Sequence, residues 1–459
     1  MSAFASRLSE LRDRGLHRRT RLISGPQGPH TVVDGRPALM LCSNNYLGLA
    51  DHPRVREAAA DAAMRWGVGA GASRLVSGTM TVHRRFEERL AAFKGQESAL
   101  LFGSGYLANA GVIAALAERG GIVCSDALNH ASIIDGCRLS GSETFVYHHA
   151  DVEHLEWGLA RAKGRQALIA TDSVFSMDGD IAPLESIVAV AQRHGARLVV
   201  DEAHATGVLG PGGRGVVAAA GLESEVDVVI GTLGKALGSY GAYAACSADL
   251  ADWLLNRARS LIYSTAPPPP AVAAALMALA ILEEEPRRVD RLTANSRTLR
   301  SALRSNGFDI EESPTAIIPL VIGDPDATMQ LCEDMLRRGV FAQAIRPPTV
   351  PEGTSRLRLA VMATHRPAEL RDAAKTIARS CRAVGLRAAH PAERGTAGDA
   401  AAPRRDTPTP SEPPTFASAR PPRKVPGDDA GPIIVRRKRR SVSDRAPFDV
   451  EADGLDRAA

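Results

Sequence analysis

The chain has 459 residues, of which 44% are hydrophobic and 24% charged, with a formal net charge of +4 and six cysteines. That length allows a large core and more than one domain, and no apolar run approaches the ~20 residues a membrane helix needs. The first residues alternate Arg and Glu with Leu and hold no continuous apolar stretch, which argues against a secretory signal and for a cytoplasmic protein.

The cysteines, Cys42, Cys124, Cys137, Cys246, Cys332 and Cys381, form no CxxC pair, so neither a metal site nor a disulfide framework is expected. Most of the small positive charge falls in residues 387–459, leaving a nearly neutral body with no electrostatic case for a nucleic-acid partner.

In chain order, residues 1–45 read as an Arg-rich helix, Gly/Pro turns and a short extended stretch. From 46 to 270, continuous Val/Ile/Leu runs alternate with helical patterns. Strands are expected at 121–124, 167–171, 197–200 and 226–230, with helices at 107–118 and 187–194. Buried strands separated by helices predict a mostly parallel α/β sheet. After the proline run at 267–270 and an Ala/Leu-rich helix comes a smaller α/β unit, 271–386. It carries strands at 316–322 and 356–361 and helices at 329–338 and 366–384. Residues 387–459 are rich in Ala, Pro, Arg and Asp, and such a segment should stay disordered. Its run at 436–440, RRKRR, reads as a solvated charge cluster and only a weak hint of nucleic acid.

The chemistry concentrates between Asp201 and Lys235. The strand at 197–200 delivers Asp201 at its carboxyl end, where open α/β sheets bind ligands, and His204 follows on the same loop. The strand at 226–230 leads to Gly231-Thr232-Leu233-Gly234-Lys235-Ala236, a lysine among small residues beside a hydroxyl suited to a phosphate. A lysine can hold an aldehyde as a Schiff base, while a carboxylate keeps a pyridine nitrogen protonated. Gly103-Ser104-Gly105-Tyr106 opens a helix whose free N–H groups suit a phosphate. His130 offers a flat ring for stacking, and Ser176 a hydroxyl for a ring oxygen. Taken singly, each has a plainer reading: Asp201 as a helix cap, Lys235 as a surface charge, His130 and Ser176 as loop residues.

With SNNYLGL at 43–49, LVSGTMTVH at 75–83, GSGYLAN at 103–109, LNHAS at 128–132, SVFSMDGD at 173–180, VDEAHATGVLGPGGRG at 200–215 and GTLGKALGS at 231–239, the chain resembles the α-oxoamine synthases. These are fold-type-I pyridoxal-phosphate-dependent transferases, and the resemblance covers nearly all of 1–386. It implies pyridoxal 5′-phosphate as cofactor and a homodimer with sites at the subunit interface, Ser264 and Thr265 reaching the partner's cofactor.

It further implies that Lys235 is the Schiff-base lysine and moves the substrate α-proton. Asp201 would pair with the pyridinium, and His130 would stack on the ring. His204 and Ser176 would meet the phenolic oxygen and its neighbours; Thr232 and the Gly105–Tyr106 backbone would hold the phosphate or ring. Asn44 and Arg358 match positions that meet the amino-acid carboxylate.

The stretch 344–359, whose Thr349 would meet substrate, and LIYSTAPP at 261–268 resemble the branch that joins L-alanine to a pimeloyl thioester with loss of CO2. Arg18 matches in spacing an arginine that meets the acyl substrate, with Arg19 as the neighbouring alternative. Sister activities remain open: glycine C-acetyltransferase, 5-aminolevulinate synthase, or a serine palmitoyltransferase-like enzyme. One departure is VDEAHATG, where Glu202 and Ala205 replace the Asp and Gly of many relatives.

Overall fold

The strand Ile122–Asp126 is buried at all five positions, which only a sheet covered on both faces permits. Its neighbours complete a seven-stranded sheet in the order Ser98–Phe102, Ala242–Cys246, Val228–Thr232, Arg197–Asp201, Ala167–Asp172, Ile122–Asp126 and Glu143–Tyr147. Ala242–Cys246 runs antiparallel to both neighbours, and every other pairing in the sheet is parallel. One face packs on helices Gly105–Leu116 and Ala248–Arg257 through Val112, Leu116 and Leu254. The other packs on Val152–Ala160 and Leu184–His194 through Leu155, Ile187 and Val190. The computed structural model describes residues 3–386, and the predicted disordered segment and its RRKRR run lie outside them.

Local chemistry sets the element ends. Asp151, Ser247 and Asp324 cap their helices by accepting the backbone N–H of His154, Leu250 and Ala327. The predicted strand at 226–230 is displaced to Val228–Thr232, because the Asp227 carboxylate accepts the Leu198 N–H at 2.7 Å and so belongs to the turn. The strand runs on through Gly231 because a Cβ there would lie 2.4 Å from the Tyr243 ring, so only glycine fits at that crossing. The predicted helix at 329–338 starts earlier, at Pro325, behind the Asp324 cap, and spans Pro325–Arg337.

The C-terminal elements form a second layer. Ile317–Gly323, Ser355–Ala360 and Gln343–Ile345 make a three-stranded antiparallel sheet, backed by Arg287–Ser305, Pro325–Arg337 and Pro367–Ala383. The extended N-terminal stretch joins them: Arg36–Met40 pairs with His30–Val33 and, in parallel, with Val340–Phe341. Among the described residues no helix is long and apolar enough to cross a membrane.

Candidate active site

Asp201 and Lys235 stand where the parallel strands end. Asp201 is the last residue of Arg197–Asp201, and its carboxylate is buried. Its Oδ1 accepts the Ala203 N–H at 2.7 Å and its Oδ2 the Asn109 amide at 2.6 Å. Lys235 lies in the turn after Val228–Thr232. That turn closes through Leu233 N–H to Gly241 O, and Gly238, at φ +60°, allows it to press against Ala50, whose nitrogen lies 2.4 Å from where a Cβ would stand.

Lys235 Nζ is 2.8 Å from His204 Nε2, and His204 Nδ1 is 2.7 Å from the Tyr46 hydroxyl. The Tyr46 O–H donates to Asn44 Oδ1 at 3.1 Å. The bonds therefore run one way: lysine N–H to Nε2, Nδ1–H to tyrosine, tyrosine O–H to asparagine. This requires a neutral imidazole, and burial together with the Lys235 and Arg358 charges holds the His204 pKa well below its usual value. Lys235 is half-buried as a residue, yet desolvation of its amine outweighs the pull of Asp201 and Asp172 and brings its pKa down to about 8.

Arg358, on Ser355–Ala360, completes this end. Its Nη1 donates to Asn44 Oδ1 at 3.0 Å, its Nη2 to the Tyr46 hydroxyl at 3.3 Å, and its Nε to the Ser176 carbonyl. Thus Asn44, Ser176, His204, Lys235 and Arg358 are one bonded cluster.

His130 caps the helix Ala131–Ser140, with Nδ1 accepting the Ser132 N–H at 3.2 Å and lying 2.7 Å from Ser132 Oγ. Ser132 Oγ in turn accepts from Asn109 Nδ2 at 2.9 Å, so one amide nitrogen ties His130 to Asp201. The His130 N–H donates to Asp172 Oδ2 at 2.7 Å; that carboxyl is fully buried beside Asp201, and desolvation keeps its pKa well above the ordinary value. Asn109, Asp172 and Tyr46 belong to the site although nothing in the sequence assigned them a role. Asn109 and Tyr46 lie in the motifs GSGYLAN and SNNYLGL and Asp172 just precedes SVFSMDGD, but which side chain turns inward is not legible there.

Thr232 Oγ1 donates to Gly241 O and accepts from Gly234 N–H, both at 3.2 Å, so its hydroxyl sits on the lysine turn. Gly105 and Tyr106 begin the 12-residue helix Gly105–Leu116, and no atom lies within 4 Å of where a Gly105 Cβ would stand. The Tyr106 hydroxyl is bound to Asp135 at 2.7 Å, which leaves its backbone as its contribution at the helix start.

His130 and Ser176 border a cavity of about 1760 Å³ that Arg18 and Thr349 also line. Arg18 Nη2 donates to Thr349 Oγ1 at 3.2 Å, while Arg19 pairs with Glu333 at 2.9 Å. The four predicted substrate residues thus fall into two bonded pairs, Asn44–Arg358 and Arg18–Thr349. Ser264 and Thr265 form no part of this cluster; Thr265 makes a backbone bridge to Ser73.

The residues fit pyridoxal 5′-phosphate. A carboxylate has about four acceptor positions, and the two N–H donors on Asp201 leave capacity for a pyridinium N–H. An amine with a pKa of about 8 is ready to meet an aldehyde near neutral pH. At the helix start Ser104 Oγ accepts the Leu107 N–H at 3.2 Å, and the Gly105 and Tyr106 N–H groups before it suit a phosphate.

A family model described as aminotransferase class I and II matches residues 36–377. The 8-amino-7-oxononanoate synthase of Citrifermentans bemidjiense is 51% identical over 389 residues, covering 84% of this chain and 100% of that protein. The enzyme of the same name from Geobacter sulfurreducens is 50% identical, covering 84% and 99%. Among solved structures, a serine palmitoyltransferase variant from S. paucimobilis with bound PLP and myriocin superposes with a TM-score of 0.80 at 34% identity, over 84% of this chain and 98% of that one. An 8-amino-7-oxononanoate synthase from Francisella tularensis gives 0.66 at 25% identity, over 76% and 99%. The motifs, the sheet that carries them and these likenesses agree: the chain belongs to the class I and II aminotransferase family, in its α-oxoamine synthase branch beside the 8-amino-7-oxononanoate synthases.

Proposed function

We propose that the chain is a pyridoxal-phosphate-dependent C-acyltransferase of biotin synthesis. It joins L-alanine to a pimeloyl thioester and releases CO2, the free thiol carrier and 8-amino-7-oxononanoate. The observation that carries this reading is the pair of arginine sites: Arg358 with Asn44 in the Lys235 cluster, and Arg18 with Thr349 on the cavity wall. An amino-acid carboxylate and an acyl donor need two such anchors. The enzyme works as a cytoplasmic homodimer, with Ser264 and Thr265 turned to the partner's site.

When bound, pyridoxal 5′-phosphate supplies an aldehyde that takes up an amine and a protonated ring that draws an electron pair from the α-carbon. Lys235 would anchor it, Asp201 would keep its ring nitrogen charged, and His130 would stack on the ring. Thr232 and the Gly105–Tyr106 backbone would hold its phosphate or ring; Ser176 and His204 would meet its ring oxygen and neighbouring groups.

Arg358 and Asn44 grip the alanine carboxylate. Lys235 Nζ, freed from anchoring, takes the proton from the alanine α-carbon, a task suited to an amine poised near neutrality. Its bond to His204 keeps the amine aimed while it carries the proton. The α-carbon forms a bond to the thioester carbonyl carbon, the C–S bond breaks, and the thiolate leaves and takes a proton from solvent, so that Lys235 keeps the α-proton. Loss of CO2 from the resulting β-keto acid is followed by return of a proton from Lys235 to the same carbon. Arg18 and Thr349 hold the acyl donor.

Thiol release by the purified protein tests this, with L-alanine plus pimeloyl-CoA against glycine plus acetyl-CoA and Lys235→Ala as control. Release only from the first pair, lost in the variant, is expected. Release only from the second pair would assign the chain to a sister activity.

A further inference from the structure

His149 follows the edge strand Glu143–Tyr147 and stands between two carboxylates. Its Nδ1 lies 2.9 Å from Asp126 Oδ1 and its Nε2 lies 2.7 Å from Asp180 Oδ2. A neutral imidazole has one N–H, so donating to both sides requires the charged ring. Hydrogen bonds to the two carboxylates outweigh desolvation and raise its pKa to about 10. The ring also meets Phe175 edge-on, centroids 4.4 Å apart.

The two carboxylates belong to different loops. Asp126 ends Ile122–Asp126 and shapes the turn to His130: its Oδ1 accepts the Leu128 N–H and its Oδ2 the Ala150 N–H, both at 2.8 Å. Asp180 closes the loop that begins at Ser176, where Gly179 N–H bonds Phe175 O at 2.8 Å and Phe175 N–H bonds Asp180 O at 3.0 Å. From the far side the same loop is held by Arg356 on Asp178 and by Ser313 and Thr315 on the Gly179 carbonyl. One imidazolium therefore cross-links the loop of His130 to the loop of Ser176, and all three side chains line one cavity.

We propose that His149 is a positioning residue: clamped between Asp126 and Asp180, it fixes the separation of the His130 and Ser176 loops and so the seat of the cofactor ring against them. The inference rests on the reading above that both residues meet the cofactor. It assigns His149 no contact with substrate. Its effect passes through the two loops.

The test uses the full-length protein loaded with pyridoxal 5′-phosphate and the variants His149→Gln, Asp180→Asn and their double. The visible circular dichroism of the bound cofactor reads its seating without any substrate; kcat, KM and melting temperature are measured alongside. Asp180 is 39% exposed, so its variant keeps the fold if His149→Gln does not, and then decides alone. Altered dichroism and a several-fold lower kcat in each single variant, with the double no worse than either, are expected. Unchanged dichroism in Asp180→Asn, or effects that simply add, would overturn the proposal. Wild-type protein that binds the cofactor but forms no product from alanine and pimeloyl-CoA would instead refute the proposed reaction, leaving the dichroism comparison intact.

Discussion

Lys235 Nζ donates to His204 Nε2 at 2.8 Å, and the same imidazole passes its other N–H to Tyr46. A histidine used in this way is an orienting acceptor with no proton of its own to give toward the lysine. It receives, and the amine stays aimed.

The lysine should therefore titrate far from its ordinary value of 10.5. Only the neutral amine attacks an aldehyde, so cofactor uptake by cofactor-free protein should accelerate as pH rises and level off above a midpoint near 8. Stopped-flow absorbance during reconstitution reads this directly. A rate still climbing steeply at the ordinary lysine value would contradict desolvation as the dominant cause.

Asn109 joins Asp201 to the His130 cap through one amide nitrogen. A hydrogen bond to a charged group contributes about 1.5–3 kcal/mol, so Asn109→Ala should weaken cofactor binding by about tenfold or more. Equilibrium titration of the cofactor-free variant measures it. An unchanged dissociation constant would mean that Asp201 is held by Ala203 alone.

Arg18 and Arg19 are adjacent in sequence but face different partners, Thr349 and Glu333. Arg18→Ala should raise KM for the acyl thioester by about tenfold while leaving KM for alanine in place. Arg19→Ala should change either value by less than about twofold, as expected of an exposed ion pair. Equal effects from both variants would remove the distinction between them.

Glu202, the residue after Asp201, is fully buried and ion-paired to the equally buried Lys94, which also reaches the Arg214 carbonyl. The second carboxylate oxygen accepts the Val217 N–H at 2.8 Å. Lys94→Met leaves that charge without its partner and should cost about 3–5 kcal/mol in denaturant unfolding. A loss below about 1 kcal/mol would show that Glu202 takes up a proton or water reaches it.

The parallel sheet was legible because strands such as Ile122–Asp126 and Ala167–Asp172 open on continuous apolar runs, and helical patterns separate them. Ala242–Cys246 was not. Its AYAAC sequence has the composition of a helix, and only pairing on both sides makes it a strand. At the site, Asp201 and Lys235 could be read because the first ends a strand and the second lies in the turn just beyond one. Tyr46 and Asn109 could not, since their parts depend on partners 158 and 92 residues away. The Arg18–Thr349 contact spans 331 residues and comes only from how the opening segment meets the C-terminal layer.

That meeting has a consequence of its own. Arg36–Met40 lies beside Val340–Phe341, and Arg346 binds the carbonyls of Gly15 and His17, just before Arg18. The Arg18–Thr349 side of the cavity is thus woven from the opening segment and the C-terminal layer, while the sheet bearing Lys235 is one unbroken stretch between them. The proposed donor site is in this sense a two-piece cassette. Exchanging it between relatives means moving the opening segment and the final layer together, as neither half carries the contact alone.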